Sequence, residues 1–478
     1  MIRGDVIRVA QEECVKHPSD VNGARAPMQG KCESFATKPP PSPKRSGRRY
    51  VELTLTDKVD LPMPQIPRTG SFDSTLALLR EGYDFISNRC ARYGSNAFET
   101  RLMLRRVTCV TGEEAARMFY EPGRFTRRGA IPQPTLRLLQ DVGSVATLDG
   151  EKHRHRKAMF LSLMTPTSVR QIGEIFINEW QRRLPQWEAK ERIVLFQEIQ
   201  PILCSAVARW AGTPLRGKEL EARTREFAAM IDGAGSAGPR QWRGAWLRRR
   251  TERWGRRVID EIRSGARAVP DESPAAVIAR HRDLSGHPLS TSDAAVELIN
   301  LLRPTFAVDR FIVFAALALV EHPDARAFVT GGENERLEAF AQEVRRYYPF
   351  FPVVGGRALE PFGWRGRGFR KGDWVLLDLY GTNHDERIWE DPNSFRPKRF
   401  LEWDNNPYSF IPQGGGDVRS NHRCPGEPIT VEIIKRAIDM LANRLDYDLP
   451  PQDLSVSRSR MPAVPKSRLV ITNVRPRN

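Results

Sequence analysis

Apolar residues recur at helical spacing through most of the chain. Globular sequence begins near Ser71, and Leu76, Leu78, Leu79 and Phe85 mark its first helical stretch. Leu102 to Val110 reads as a strand. Thr111-Gly112-Glu113-Glu114 follows as a capping box that opens a helix through Phe119. From about 150 to 345 helical patterns dominate. Ser290-Thr291-Ser292-Asp293 caps a long apolar helix containing Leu298, Ile299, Leu302 and Phe306. Pro304 inside it should kink the helix or loosen one turn. After 350, Pro, Gly and short β-rich runs such as Trp374-Val375-Leu376-Leu377 take over, and a last helix is expected from about Ile429 to Leu445. The pattern predicts a mainly α fold with small β-sheets, without internal repeats, as one domain over 63–478. Residues 1–62 show neither period. Their Pro39-Pro40-Pro41-Ser42-Pro43-Lys44-Arg45 run predicts a basic, Pro-rich, disordered extension.

Composition narrows the classes. The 478 residues are 40% hydrophobic, enough for a sizeable core and too many for a disordered chain. The best candidate for a membrane span, Leu298 to Val320, is broken by Arg303, Asp309 and Arg310, so no transmembrane segment is expected. Six cysteines lie far apart with no CxxC pair. A disulfide scaffold is therefore not expected, and the chain reads as cytoplasmic. The net charge of +17 asks for an acidic partner without choosing one. The run Arg240 to Arg257, with Trp242, Trp246 and Trp254 interleaved, has two readings. It can grip single-stranded nucleic acid or an anionic surface. Or it is an amphipathic helix pair whose tryptophans pack inward and whose arginines face water. The second reading is preferred, and nucleic acid is not an expected partner.

Three stretches carry candidate chemistry. Phe410-Ile411-Pro412-Gln413-Gly414-Gly415-Gly416 runs to His422-Arg423-Cys424-Pro425-Gly426-Glu427, a single Cys in a Gly-rich basic loop before a helix. His422, Arg423 and the helix N-terminus favour a thiolate, and Gly426 leaves room for a flat cofactor. Glu343 and Arg346 lie one helical turn apart and can pair. Phe395-Arg396-Pro397-Lys398-Arg399-Phe400 adds an arginine beside aromatics. Singly each is common.

In this order the three resemble the cytochrome P450 signature set. The resemblance implies haem b with Cys424 as its axial thiolate, Gln413 and Gly426 beside it, and Glu343, Arg346 and Arg399 as a charge cluster holding the Cys loop. It implies that Arg127, His153 and Lys157 contact the haem propionates. A thiolate donor favours O–O bond cleavage. An ordinary P450 monooxygenase has an acid beside Thr or Ser on its long helix. Here that helix reads Leu301-Leu302-Arg303-Pro304-Thr305-Phe306, with Asp309 as a rival acid.

Arg303-Pro304 in place of the acid–alcohol pair is similar to the fatty-acid peroxygenase branch, and the similarity runs from about Ile66 to near the C-terminus. Supporting runs include Phe160-Leu161-Ser162-Leu163-Met164-Thr165-Pro166 and Leu377-Asp378-Leu379-Tyr380-Gly381-Thr382-Asn383-His384-Asp385. The resemblance implies that Arg303 holds the carboxylate of a long-chain fatty acid. That carboxylate then acts as acid–base toward H2O2, with hydroxylation at Cα or Cβ, some decarboxylation, and no reductase required. A buried arginine needs an anion, and its planar fork suits a carboxylate. One position departs from the branch: Ala146 stands where relatives carry Gln or His, with Gln140 as a substitute, and Phe350 and Phe351 are candidates to narrow the pocket. Two rival readings remain, a redox-partner-dependent P450 monooxygenase and a basic nucleic-acid or anionic-surface binding protein.

Overall fold

The central helix forms because an N-cap and an apolar face coincide. In the computed structural model it spans Thr291–Phe306, and the Ser290 hydroxyl accepts from the Asp293 N–H at 3.0 Å. Leu298, Ile299, Leu302 and Phe306 are all fully buried, each gaining about 1.5–3 kcal/mol from leaving water. Pro304 lacks the N–H that would bond the carbonyl of Asn300. The turn behind it tightens, with the Ala307 N–H shared between the carbonyls of Arg303 and Pro304, and a second helix, Asp309–Glu321, continues the line. The proline's effect is thus a tightened turn and a break between two helices, at Ala307 and Val308, rather than a loosened turn.

The structure describes residues 66–141 and 143–477, so the extension expected over 1–62 lies outside the described residues. Helices dominate from Gly150 to Tyr347, around a core centred on the 291–321 pair. A five-stranded sheet holds Ala97–Leu102, Arg105–Val110, Trp374–Asp378, Val353–Ala358 and Phe125–Thr126 in that spatial order. Arg105–Val110 runs parallel to Trp374–Asp378, with Thr108 opposite Val375, and the other pairs are antiparallel. A three-stranded sheet and a two-stranded hairpin complete a mainly α fold with small sheets. No helix among the described residues is long and apolar enough to cross a membrane.

Four local expectations need correction. Leu102 to Val110 is not one strand: the chain turns at Met103 and Leu104, both at positive φ, and forms a hairpin with Ala97 opposite Val110. The capping box at Thr111 does not form. Gly112 is the N-cap, and Thr111 faces the Thr382 hydroxyl instead. The last helix begins at Glu427, ends at Asp439 in a π-helical turn, and delivers Leu445 into a strand. Arg240 to Arg257 lies within one helix, Pro239–Arg263, not a pair. Its Trp254 is buried, but Trp242 and Trp246 are 67% and 57% exposed.

Candidate active site

The Cys loop is built from the backbone outward. The Cys424 N–H donates to the Gln413 carbonyl at 3.1 Å, closing the loop on itself. Gly416 has φ +77°, and a Cβ there would sit 2.5 Å from the Asn421 carboxamide oxygen, so only glycine fits. Gln413 braces the loop to two helices. Its Oε1 accepts from Arg345 Nε at 3.0 Å, and its Nε2 donates to Thr430 Oγ1 at 3.3 Å. Arg345 also pairs with Glu427 at 3.0 Å, and Glu427 with Arg423 at 2.7 Å. Arg345 and Glu427 received no role from the sequence. Their signal is adjacency, one beside Arg346 and the other three residues after Cys424.

Beneath the loop, Arg346 grips Glu343 with two bonds of 2.7 and 2.8 Å, both side chains fully buried. Its remaining hydrogens go to the carbonyls of Asn383, Pro392 and Ser394. Glu343 Oε1 accepts from the Arg396 N–H at 2.7 Å, with Arg399 Nε 3.4 Å away. The geometry ties the 334–347 helix to the 390–400 segment.

Burial pushes the Cys424 thiol up, with Glu427 adding, while the Gly426 N–H, Lys157 and Arg345 pull it back. The sequence assigned this pull to His422, Arg423 and the helix N-terminus; the Gly426 N–H at that N-terminus does take part, and the two side chains need correction. His422 is held neutral by burial and by the charges of Arg127, His153 and Lys157. Arg423 is turned to Glu427. His153 packs on His422 with ring centroids 4.0 Å apart, and burial lowers it to about 4. Lys157 is buried and donates to the carbonyls of Asn421 and Arg423. Arg127 donates to the Gly355 carbonyl at 2.8 Å. Arg127, His153 and His422 line a cavity of about 160 Å³ together with Tyr120 and Asn421.

On the central helix Arg303 is 5% exposed, and no ion pair holds it among the described residues. Its Nη2 donates to the Leu139 carbonyl, and its Nε has no partner. Burial pulls its proton affinity well below the ordinary arginine value, with Arg248 adding and Cys424 countering, so Arg303 lies within electrostatic reach of that sulfur. Asp309, the rival acid, is tied to Arg310 at 2.8 Å and to Gln200 at 2.9 Å. The Thr305 hydroxyl donates to the Leu301 carbonyl. Neither is a free proton donor.

The segment before the central helix is pinned to it by contacts the sequence did not reveal. Three successive carbonyls at the end of the Gln133–Leu139 helix each accept from a distant side chain: Leu138 from Arg248, Leu139 from Arg303 and Gln140 from Asn300. Fully buried Glu297 accepts from the Val145 N–H and from Arg156, both at 2.8 Å. Ala146, half-buried, lies in the short turn Val145–Thr147 that Glu297 fixes. A lone acid in an apolar helix was the available signal for Glu297. Phe350 packs on Phe311 with ring centroids 4.3 Å apart and the planes tilted by 32°, whereas Phe351 is 39% exposed.

The donor set suits haem. No cluster of three or more His, Cys, Asp or Glu able to hold a bare ion occurs among the described residues, so Cys424 offers a single sulfur to a metal whose other ligands come from elsewhere. A Cβ on Gly426 would meet only that sulfur, at 3.8 Å. Arg127 and His153 line the cavity beside the loop, whereas Lys157 is turned to the Asn421 and Arg423 carbonyls.

The comparisons agree. The cytochrome P450 family model matches residues 335–463. A variant of cytochrome P450SP alpha is 46% identical, with TM-score 0.83, covering 85% of this chain and all of that one. Cytochrome P450EX alpha with myristic acid is 42% identical, TM-score 0.83, covering 86% and 99%. A variant of cytochrome P450 OleT in complex with arachidonic acid is 35% identical, TM-score 0.84, covering 87% and 99%. The chain belongs to the cytochrome P450 family. Within it the chain falls in the fatty-acid peroxygenase branch.

Proposed function

We propose that this protein is a haem-thiolate peroxygenase that uses H2O2 to hydroxylate long-chain fatty acids at Cα or Cβ, with some oxidative decarboxylation. Haem b bound through Cys424 supplies O–O cleavage and oxygen transfer. The observation that carries the reading is Arg303, a buried cation with no acid partner among the described residues. Its fork holds the fatty-acid carboxylate in a bidentate grip. The held carboxylate takes a proton from H2O2 and returns it to the departing oxygen, which replaces the acid–alcohol pair that Asp309 and Thr305 do not provide. Pro304 supports the grip by leaving the Asn300 carbonyl without its helical N–H one turn before, beside the Asn300 side chain that holds the Gln140 carbonyl. Anchoring the head group places Cα and Cβ nearest the reacting oxygen, a positional advantage of the intramolecular kind. Arg127 and His153 orient the propionates, and Gln413 and Lys157 fix the Cys loop. The fatty acids bound by P450EX alpha and the OleT variant support the substrate class.

No reductase and no nucleic acid enter this reading. The four described cysteines are free thiols, which fits a cytoplasmic setting. The test is product analysis after mixing purified protein, H2O2 and myristic acid. Hydroxy acid or alkene without NADPH is the expected result. Equal turnover of the acid and its methyl ester would overturn the carboxylate role.

A further inference from the structure

The Pro239–Arg263 helix has an outer face that the site does not use. The helix carries nine arginines and three acids. Trp242, Trp246, Arg249, Arg253 and Arg257 recur at steps of three and four, so they share one stripe about 22 Å long at helical rise. Trp242 and Trp246 are among the few exposed large hydrophobic side chains. Among the described residues no ion pair engages Arg243, Arg249, Arg253 or Arg257, all of them exposed. Arg250 lies over the Trp246 ring at 5.4 Å.

We propose that this stripe docks the protein on an anionic lipid bilayer. Tryptophan settles at the boundary between headgroups and acyl chains, where its ring is half in apolar surroundings. Arginine reaches past it to lipid phosphates with its stem still covering apolar surface. A helix with basic and aromatic residues on one outward face lies in that plane. Single-stranded nucleic acid fits less well, because stacking platforms for successive bases lie in a charged groove, whereas this stripe is the convex side of one helix. The inner face of the same helix supports the site. Gly244 packs against Leu138, and Arg248 donates to the Leu138 carbonyl beside Arg303. Docking therefore brings the wall behind Arg303 close to a surface in which long-chain amphiphiles partition.

The test is co-sedimentation of the full-length holoprotein with vesicles, independent of turnover. Vesicles of phosphatidylcholine alone are compared with vesicles holding phosphatidylglycerol at about one lipid in three. The expected result is binding to the anionic vesicles only, weakening as salt rises, with a blue shift of tryptophan emission. Trp242→Ala with Trp246→Ala, and separately Arg249→Gln with Arg253→Gln, should each weaken binding by at least about tenfold. Both pairs should keep the wild-type haem spectrum and wild-type turnover of dissolved fatty acid in lipid-free buffer. Binding equal to wild type in both pairs would overturn the proposal. So would absence of vesicle binding by the wild type, whether the stripe then proves to hold single-stranded DNA or a second copy of the chain.

Discussion

Arg303 donates through Nη2 to the carbonyl of Leu139, at the end of a short helix 164 residues earlier in the chain. A backbone carbonyl carries only a partial charge. It satisfies one hydrogen and leaves Nε unpartnered. The cation is thus held in place and still short of an anion.

Arg303→Ala should lower peroxide-driven fatty-acid turnover by about 100-fold or more, the scale of losing one preorganised charge contact. Haem content should stay unchanged. The rise in melting temperature that a fatty acid gives the wild type should vanish in the variant, because binding to the folded state is what produces it. Thermal scans with and without myristic acid measure this.

Cys424→Ala should abolish the haem-thiolate absorption of the reduced, carbon monoxide-treated protein. A wild-type spectrum in that variant would remove the ligand assignment. Secondary structure by circular dichroism should be retained, since the loop is braced by Gln413, Arg345 and Lys157.

Arg346→Ala should destabilise the fold by about 3–5 kcal/mol, because it leaves Glu343 charged, buried and without its bidentate partner. Denaturant unfolding reads the loss. Arg399→Ala should cost less, since its contact with Glu343 is longer, at 3.4 Å.

Asp378→Asn should change how stability follows pH. Burial pushes the Asp378 carboxyl up to about 7, against Gly381 and Ser87 donors that pull it down. A raised folded value means the folded chain holds a proton that the unfolded chain has released between about pH 4 and 7. Wild-type stability contributed by this group therefore falls as pH rises through that window. The slope is at most about 1.4 kcal/mol per pH unit. The amide keeps an acceptor for the Gly381 N–H and has no such window. The variant should gain on the wild type from about pH 4 to about pH 7 in melting scans, and level off above that. Parallel pH profiles would refute the assignment.

Motifs made of neighbours were legible in the sequence. Glu343 with Arg346, and Gln413 with Cys424, are close in the chain, and their spacing already restricts their geometry. The central helix was legible because its cap and apolar period agree. Contacts across long separations were not. Nothing near Leu138, Leu139 or Gln140 announces that Arg248, Arg303 and Asn300 will each take one of their carbonyls. Local signals also misled where a side chain had a better partner elsewhere. Thr111 faces Thr382 rather than capping its own helix, and Arg423 neutralises Glu427 rather than Cys424. The Met103-Leu104 turn lacks the Gly or Asn that usually marks a hairpin, so two strands read as one. Trp242 and Trp246 face outward because the inner side of their helix is already filled by Gly244, Leu247, Thr251 and Trp254.

Lys157 reaches across from its helix to the carbonyls of Asn421 and Arg423, while Gln413 is clasped between Arg345 and Thr430. Tethers from three helices, Gly150–Ser162, Asn334–Tyr347 and Glu427–Asp439, thus converge on one short stretch of chain. A change in any one of those helices is therefore felt at the Cys424 sulfur, even where it touches neither the sulfur nor its loop.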